Sequence, residues 1–158
     1  RLLTMMKLCS DVLKALEGKT LVTAESLTGG GIGAAITAVP GASKVYKGGV
    51  ISYTDQVKRE VLNVPVDYLI TYGAVSAPVA EAMARGVREL LKADVAVSVT
   101  GLAGPDGDDF GHEVGTVFIG YADQSGVTAG ECHFTGDREG VRAHTVKAAL
   151  RLILENVK

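Results

Sequence analysis

The sequence predicts an α/β protein: a three-layer α/β/α sandwich on a mixed, mostly parallel sheet of about five strands. Three observations predict it. Segments with apolar residues at helical spacing alternate with short apolar runs along the whole chain. The run Val95-Ala96-Val97-Ser98-Val99 is almost continuously apolar, as a strand covered on both faces requires. Residues 114–123 and 127–134 read as strands meeting at Gln124-Ser125-Gly126, a hairpin that makes at least one strand antiparallel.

Each element has a local reason. Met5, Leu8, Cys9, Val12, Leu13 and Leu16 recur at helical spacing, so residues 5–17 form a helix that Gly18 ends. Residues 20–24 form a buried strand, followed by a short helix over about 30–38 that stops before Pro40-Gly41. Residues 48–53 form the second strand, and Thr54 caps a helix reaching about Leu62. Residues 64–74 are expected to be a loop with at most one helical turn. Ser76 and Pro78 open a long helix ending near Ala93. Asp137 starts the last helix, whose apolar line is Val141, Val146, Leu150, Ile153, Leu154 and Val157. No repeat, low-complexity segment or linker divides the chain, so residues 1–158 read as a single domain.

Composition narrows the function classes. Hydrophobic residues make up 47% and charged residues 22%, a globular balance. Trp is absent and aromatics are only 5%, so the core must be aliphatic and rich in alanine. A net charge of −2 with mixed signs lacks the basic footprint of a nucleic-acid partner. Cys9 and Cys132 have no metal-ligand spacing and read as reduced thiols of a cytoplasmic protein. No apolar run reaches the roughly 18 residues that a membrane span needs, and the stretch from Arg1 to Met6 has no leader pattern.

In open α/β sheets, ligands bind outside the carboxyl ends of the strands. Three strands here end in polar turns: Glu25-Ser26-Leu27-Thr28-Gly29-Gly30, Ser52-Tyr53-Thr54, and Thr100-Gly101-Leu102-Ala103-Gly104-Pro105. Parallel strands would bring all three to one rim. Backbone N–H groups beside Gly29 and Gly30, at a helix start, are expected to meet a phosphate or an oxyanion. The other reading is that these glycines only permit close helix–sheet packing.

Ser26 is a candidate nucleophile, which needs a base. His112, His133 and His144 lie in a loop, a strand and a helix, and read as structural or solvated. Lys58, one turn into the helix after Tyr53, is a candidate base whose pKa a dry cleft would lower. Lys58 and Arg59 also read as a solvated helix face, and spacing alone favours that reading. Tyr53 either donates to a reacting oxygen or packs its ring at the sheet edge. Arg138 and Arg142 share a helix face, where they bind an anion or pair with Asp137 and Glu139. Asp106, Asp108 and Asp109 crowd one loop, but loops are rich in aspartate and no metal is expected. A rival pattern is also present. Residues 29–34 fit the G-x-G-x-x-A dinucleotide signature, with Asp55 at the position of a ribose-binding acid.

The stretches Thr23-Ala24-Glu25-Ser26-Leu27-Thr28-Gly29-Gly30, Pro40-Gly41-Ala42-Ser43, Gly48-Gly49-Val50-Ile51-Ser52-Tyr53, Gly73-Ala74-Val75-Ser76, Thr100-Gly101-Leu102-Ala103-Gly104-Pro105-Asp106-Gly107, Val114-Gly115-Thr116-Val117 and Phe134-x-Gly136-Asp137-Arg138-x-x-Val141-Arg142 follow in one order. Together they resemble the CinA C-terminal domain family, from about residue 5 to the end. The resemblance implies a stand-alone amidohydrolase that converts nicotinamide mononucleotide to nicotinate mononucleotide and ammonia. It also implies the mixed-sheet sandwich, no cofactor or metal, and a homo-oligomer. Carried over, the reactive serine is Ser26, with Lys58 as its base and Tyr53 assisting the proton relay. Thr28, Gly29, Gly30, Thr100 and Gly101 would line the substrate site. Arg138 or Arg142 would hold the phosphate, with Arg142 preferred. The family's glycines and Lys-Pro before Val114 are replaced here by Asp108-Asp109-Phe110-Gly111-His112-Glu113. The alternative function is a non-catalytic nucleotide-binding or interaction module of a competence or DNA-damage pathway.

Overall fold

A computed structural model describes residues 2–157. Arg1 and Lys158, which the expected domain includes, lie outside the described residues, as does the start of the stretch read as lacking a leader. The chain runs α1 (Leu2–Ala15), β1 (Leu21–Glu25), α2 (Gly31–Thr37), a 3₁₀ turn (Ala42–Lys44), β2 (Tyr46–Ile51), α3 (Asp55–Leu62), α4 (Val66–Tyr72), α5 (Ala77–Leu91), β3 (Val95–Gly101), β4 (Thr116–Asp123), β5 (Gly126–His133) and α6 (Arg138–Asn156). The sheet order is β2-β1-β3-β4-β5. β1 pairs in parallel with β2 and β3, and β4 pairs antiparallel with β3 and β5. Four strands therefore run one way and β4 alone opposes them, which is the mixed sheet expected.

The predicted caps are in place. Thr54, Ser76 and Asp137 each accept a hydrogen bond from a first-turn amide of the helix they open. Two local expectations fail. Residues 66–72 form a helix rather than a loop; it buries no residue fully, so it carries no strong apolar stripe to betray it. β2 spans Tyr46–Ile51, so Tyr53 lies beyond the strand rather than ending it.

Strand alternation divides the core into two layers. Val95, Val97 and Val99 of β3 and Val117, Ile119 and Tyr121 of β4 pack against α1, α2 and α6. Val22, Ala24, Ala96 and Ala122 face α5. That second layer is thin because small side chains meet there. A Cβ on Gly86 of α5 would strike the Leu62 carbonyl, and one on Gly120 would lie 2.5 Å from the Ala80 carbonyl oxygen. Ser98 Oγ donates to that same carbonyl at 2.6 Å. Close approach of this kind is how a core with few aromatics reaches interior packing density.

The parallel order of β2, β1 and β3 places residues 26–30, 52–54 and 102–106 on one rim, at the carboxyl ends of the strands. β5 also ends there, so α6 begins beside them.

Candidate active site

Ser26 follows the last residue of the central strand β1, and its amide donates to the Val99 carbonyl of β3. The strand pair thereby fixes its backbone. Lys58 lies on the first turns of α3, whose N-cap Thr54 sets the direction of that helix. Its chain runs inward: Lys58 is only 1% exposed, and it heads the largest fully buried side chains. Lys58 Nζ lies 2.9 Å from Ser26 Oγ, 2.8 Å from the Ser52 carbonyl oxygen and 3.5 Å from that of Tyr53. The two carbonyls hold the amine against the serine. Burial lowers the Lys58 pKa from 10.5 to about 8, against a smaller upward pull from the Asp55 carboxylate. An amine whose pKa is brought down to about 8, within reach of a hydroxyl, is a serine–base pair. The solvated-face reading of Lys58 is therefore wrong, because its stem and head both leave the helix surface for the interior.

The pair opens onto a cleft of about 420 Å³. Ser26 and Leu27 form its floor with Thr100 and Gly101; Tyr53, Asp55, Ala74 and Val75 line it too, and the loop 102–106 and Arg138 complete it. The Thr100 hydroxyl is spent on the Ala74 carbonyl at 2.8 Å, tying the α4–α5 turn to β3. Gly101 is required by β4, since a Cβ there would lie 2.7 Å from Val117 Cγ2. Arg138 reaches from α6 to donate to the Gly104 carbonyl at 2.6 Å and to the Tyr53 hydroxyl at 3.1 Å. Tyr53 is 57% exposed, and its hydroxyl makes no hydrogen bond with Ser26 or Lys58. A second cavity, lined by Lys19, Arg88, Tyr121 and Asp123 among others, lies at the opposite ends of the central strands, where β1 and β3 begin, away from Ser26.

Three expectations shift. Thr28, Gly29 and Gly30 are not among the residues lining the cleft. The start of α2 faces an anion of the protein's own: the Glu25 carboxylate accepts from the amides of Ile32 and Gly33 at 2.8 and 3.0 Å, and from Thr28 Oγ1 at 2.6 Å. Gly29 and Gly30 adopt φ of 59° and 101°, and a Cβ on Gly33 would lie 2.7 Å from the Tyr46 hydroxyl. Turn conformation and packing thus account for the glycines. The same arrangement speaks against the dinucleotide pattern, whose pyrophosphate needs those amides free. Arg142, preferred on sequence for the phosphate, instead donates to the carbonyls of Leu27 and Thr28 at 3.0 and 3.3 Å, while Arg138 is the one in the cleft.

The histidines lie elsewhere. His112 Nδ1 is 2.7 Å from Asp108, His133 pairs with Glu131, and His144 stacks on Phe134. Burial acts to raise the Asp108 pKa, but hydrogen bonds from the His112 ring and from the amides of His112 and Phe110 bring it below the ordinary value. This aspartate anchors its own loop. Among the described residues no group of three His, Cys, Asp or Glu side chains could hold a metal ion, and no described helix is long and apolar enough to cross a membrane. Cys9 and Cys132 are free thiols. Sequence reasoning did not single out Glu25 as the acceptor at the start of α2. Its signal was an acid at the end of an apolar strand, three residues before a threonine and just ahead of a helix start lacking a polar cap.

Comparison with known proteins identifies the family. The CinA C-terminal domain family matches residues 3–157. A CinA-like protein of Synechococcus sp. (strain CC9311) is 60% identical over 114 residues, covering 71% of this chain and 27% of that protein. One from Geobacter metallireducens is 47% identical over 133 residues, covering 84% and 32%. The chain thus spans about a third of the length of these curated relatives. Among solved structures, a competence-damaged protein (CinA) superfamily protein from Klebsiella pneumoniae superposes with a TM-score of 0.94 at 35% identity, covering 97% of each chain. One from Escherichia coli gives 0.93 at 37%, covering 96% of this chain and 89% of its own.

Proposed function

Because this chain belongs to the CinA C-terminal domain family, we propose that it is an amidohydrolase that deamidates nicotinamide mononucleotide to nicotinate mononucleotide and ammonia. The observation that carries the reading is the buried Ser26–Lys58 pair, 2.9 Å apart at the floor of an open cleft. Ser26 Oγ attacks the carboxamide carbon while its proton passes to neutral Lys58. The protonated lysine then gives that proton to the departing nitrogen, the C–N bond breaks, and ammonia leaves an acyl ester on Ser26. Water, deprotonated by the same amine, attacks the ester carbon; as the C–O bond breaks the amine returns that proton to Ser26 Oγ and the free acid leaves.

The rest of the cleft suits the rest of the substrate. The amides of Leu27 and Ala103 belong to cleft-lining residues and have no hydrogen-bond partner among the described residues, which makes them donors for the oxyanion. Asp55 and Asp106 offer negative charge to the cationic pyridinium ring. Arg138 is the cation for the phosphate. The Tyr53 phenol, held on Arg138, orients that side chain. The protein works as a homo-oligomer in this reading, supported by Val66 and Ile70 of α4, apolar yet 50% and 70% exposed.

The test is ammonia release from nicotinamide mononucleotide by the purified protein, with and without a chelator. Turnover that survives chelation supports the reading; binding of the nucleotide with no ammonia released would support the non-catalytic module instead. Two outcomes sharpen it. Since Lys58 must be neutral and titrates at about 8, kcat/KM is expected to climb roughly tenfold per pH unit below that value and level above it. Arg138→Ala is expected to raise KM by about 10–100-fold, through loss of a charge-assisted hydrogen bond, with a smaller change in kcat. An unchanged KM would remove Arg138 from the phosphate.

A further inference from the structure

Glu25 is 2% exposed and is not one of the residues lining the cleft. It nonetheless precedes the nucleophile in sequence. Its carboxylate accepts from Thr28 Oγ1, Ile32 N and Gly33 N, with Thr23 Oγ1 a fourth, longer contact at 3.4 Å. A carboxylate is costly to bury unless hydrogen-bonded in this way. The N-cap position of α2 is Gly30, which has no side chain to accept from the first amides of the helix. The acceptor comes instead from the end of β1, across the turn that carries Ser26. On the outer side of the same turn, Arg142 donates to the carbonyls of Leu27 and Thr28. The turn between them includes Gly29 and Gly30, both at positive φ, a stretch that sequence alone leaves free to relax.

We propose that Glu25 is a positioning residue for Ser26. Its carboxylate locks the turn 26–30 from within, with Arg142 closing it from outside, and so sets the 2.9 Å separation of Ser26 Oγ from Lys58 Nζ. The same contact keeps the first amides of α2 occupied, which leaves Arg138 as the cation facing the substrate's phosphate. The inference rests on the reading of Ser26 as nucleophile.

Glu25→Gln tests it, because glutamine keeps the shape but replaces one acceptor oxygen with a donor. The turn then loosens without emptying the core. Small displacements of reacting groups lower rates by up to about 100-fold, so kcat for ammonia release should fall by roughly 10–100-fold with KM within about threefold of the parent. The rising limb of the pH profile should keep its midpoint, since Lys58 stands on another element. A kcat within about twofold of the parent overturns the proposal. So does a midpoint displaced by more than about half a unit, which would mean that Glu25 acts through the charge of Lys58. If Glu25→Gln does not fold, Arg142→Ala carries the same expectation, and an undiminished kcat there overturns the proposal equally. Should the parent protein release no ammonia, the rate of Ser26 labelling by a fluorophosphonate replaces turnover. Labelling that Glu25→Gln leaves unchanged overturns the positioning role. A parent Ser26 inert to both reagents overturns it together with the reading it rests on.

Discussion

Ser26→Ala is expected to lower kcat for ammonia release by at least about 1,000-fold while leaving KM near its original value. The side chain is small and 7% exposed, and its oxygen makes one hydrogen bond, to Lys58. Its removal strips the nucleophile without creating a large cavity, and Lys58 keeps the Ser52 carbonyl at 2.8 Å. Stability should therefore change by no more than about 1 kcal/mol. Steady-state ammonia release and a thermal melt on the same preparation check both halves. A variant that retains more than about a tenth of the parent turnover would show that water attacks the amide directly, with Lys58 as its base and Ser26 as a bystander.

Lys58→Met is expected to abolish turnover and, at neutral pH, to make the protein more stable. Both effects have one cause. The unfolded lysine titrates at its ordinary 10.5, and the folded one at about 8. Below the lower value both states are protonated, and the fold bears the full cost of a buried ammonium, of order 3 kcal/mol. As pH rises from 8 to 10.5, the folded amine is neutral while the unfolded chain still binds a proton; the cost fades and the parent gains stability. Above the upper value the cost is gone. Methionine removes this cost but leaves the Ser52 carbonyl unpaired, which takes back about 1–3 kcal/mol. The variant's melting temperature should thus exceed the parent's near pH 7, and the difference should shrink or reverse by pH 10.5. A difference that stays constant over that range would show that Lys58 has an ordinary pKa. The proton transfer assigned to it would then lack its driving force. Stability given up for a reactive buried group is a common feature of functional sites.

The parts of this fold that could be read from sequence are the parts governed by near neighbours. Thr54, Ser76 and Asp137 cap helices because each hydroxyl or carboxylate lies three residues before the amide it accepts from. The runs read as strands at 95–99, 114–123 and 127–134 fall on β3, β4 and β5 to within two residues, because their pattern and turn residues lie together in the chain. Helix α4 escaped notice for the matching reason: it is short and touches the core only through half-buried Tyr68 and Leu69, so its periodic signal is weak.

The site divides along the same line. Ser26 and Tyr53 were legible as residue types in turns after strands, Lys58 was singled out only through the family resemblance because spacing alone favoured a solvated face, and a parallel order of three strands would bring those turns to one rim. Sequence alone determined the α/β class and the order of the strands and of every helix but α4, since caps, periodicities and turn residues act over a few positions. Only the tertiary structure decided that Lys58 turns inward to meet a serine 32 positions away, that Arg138 rather than Arg142 faces the cleft, and that Glu25 occupies the start of α2. Those outcomes depend on burial and on partners distant in the chain, such as Gly104 and Tyr53 for Arg138. Desolvation and long-range hydrogen bonding take their values only once the layers have closed around them.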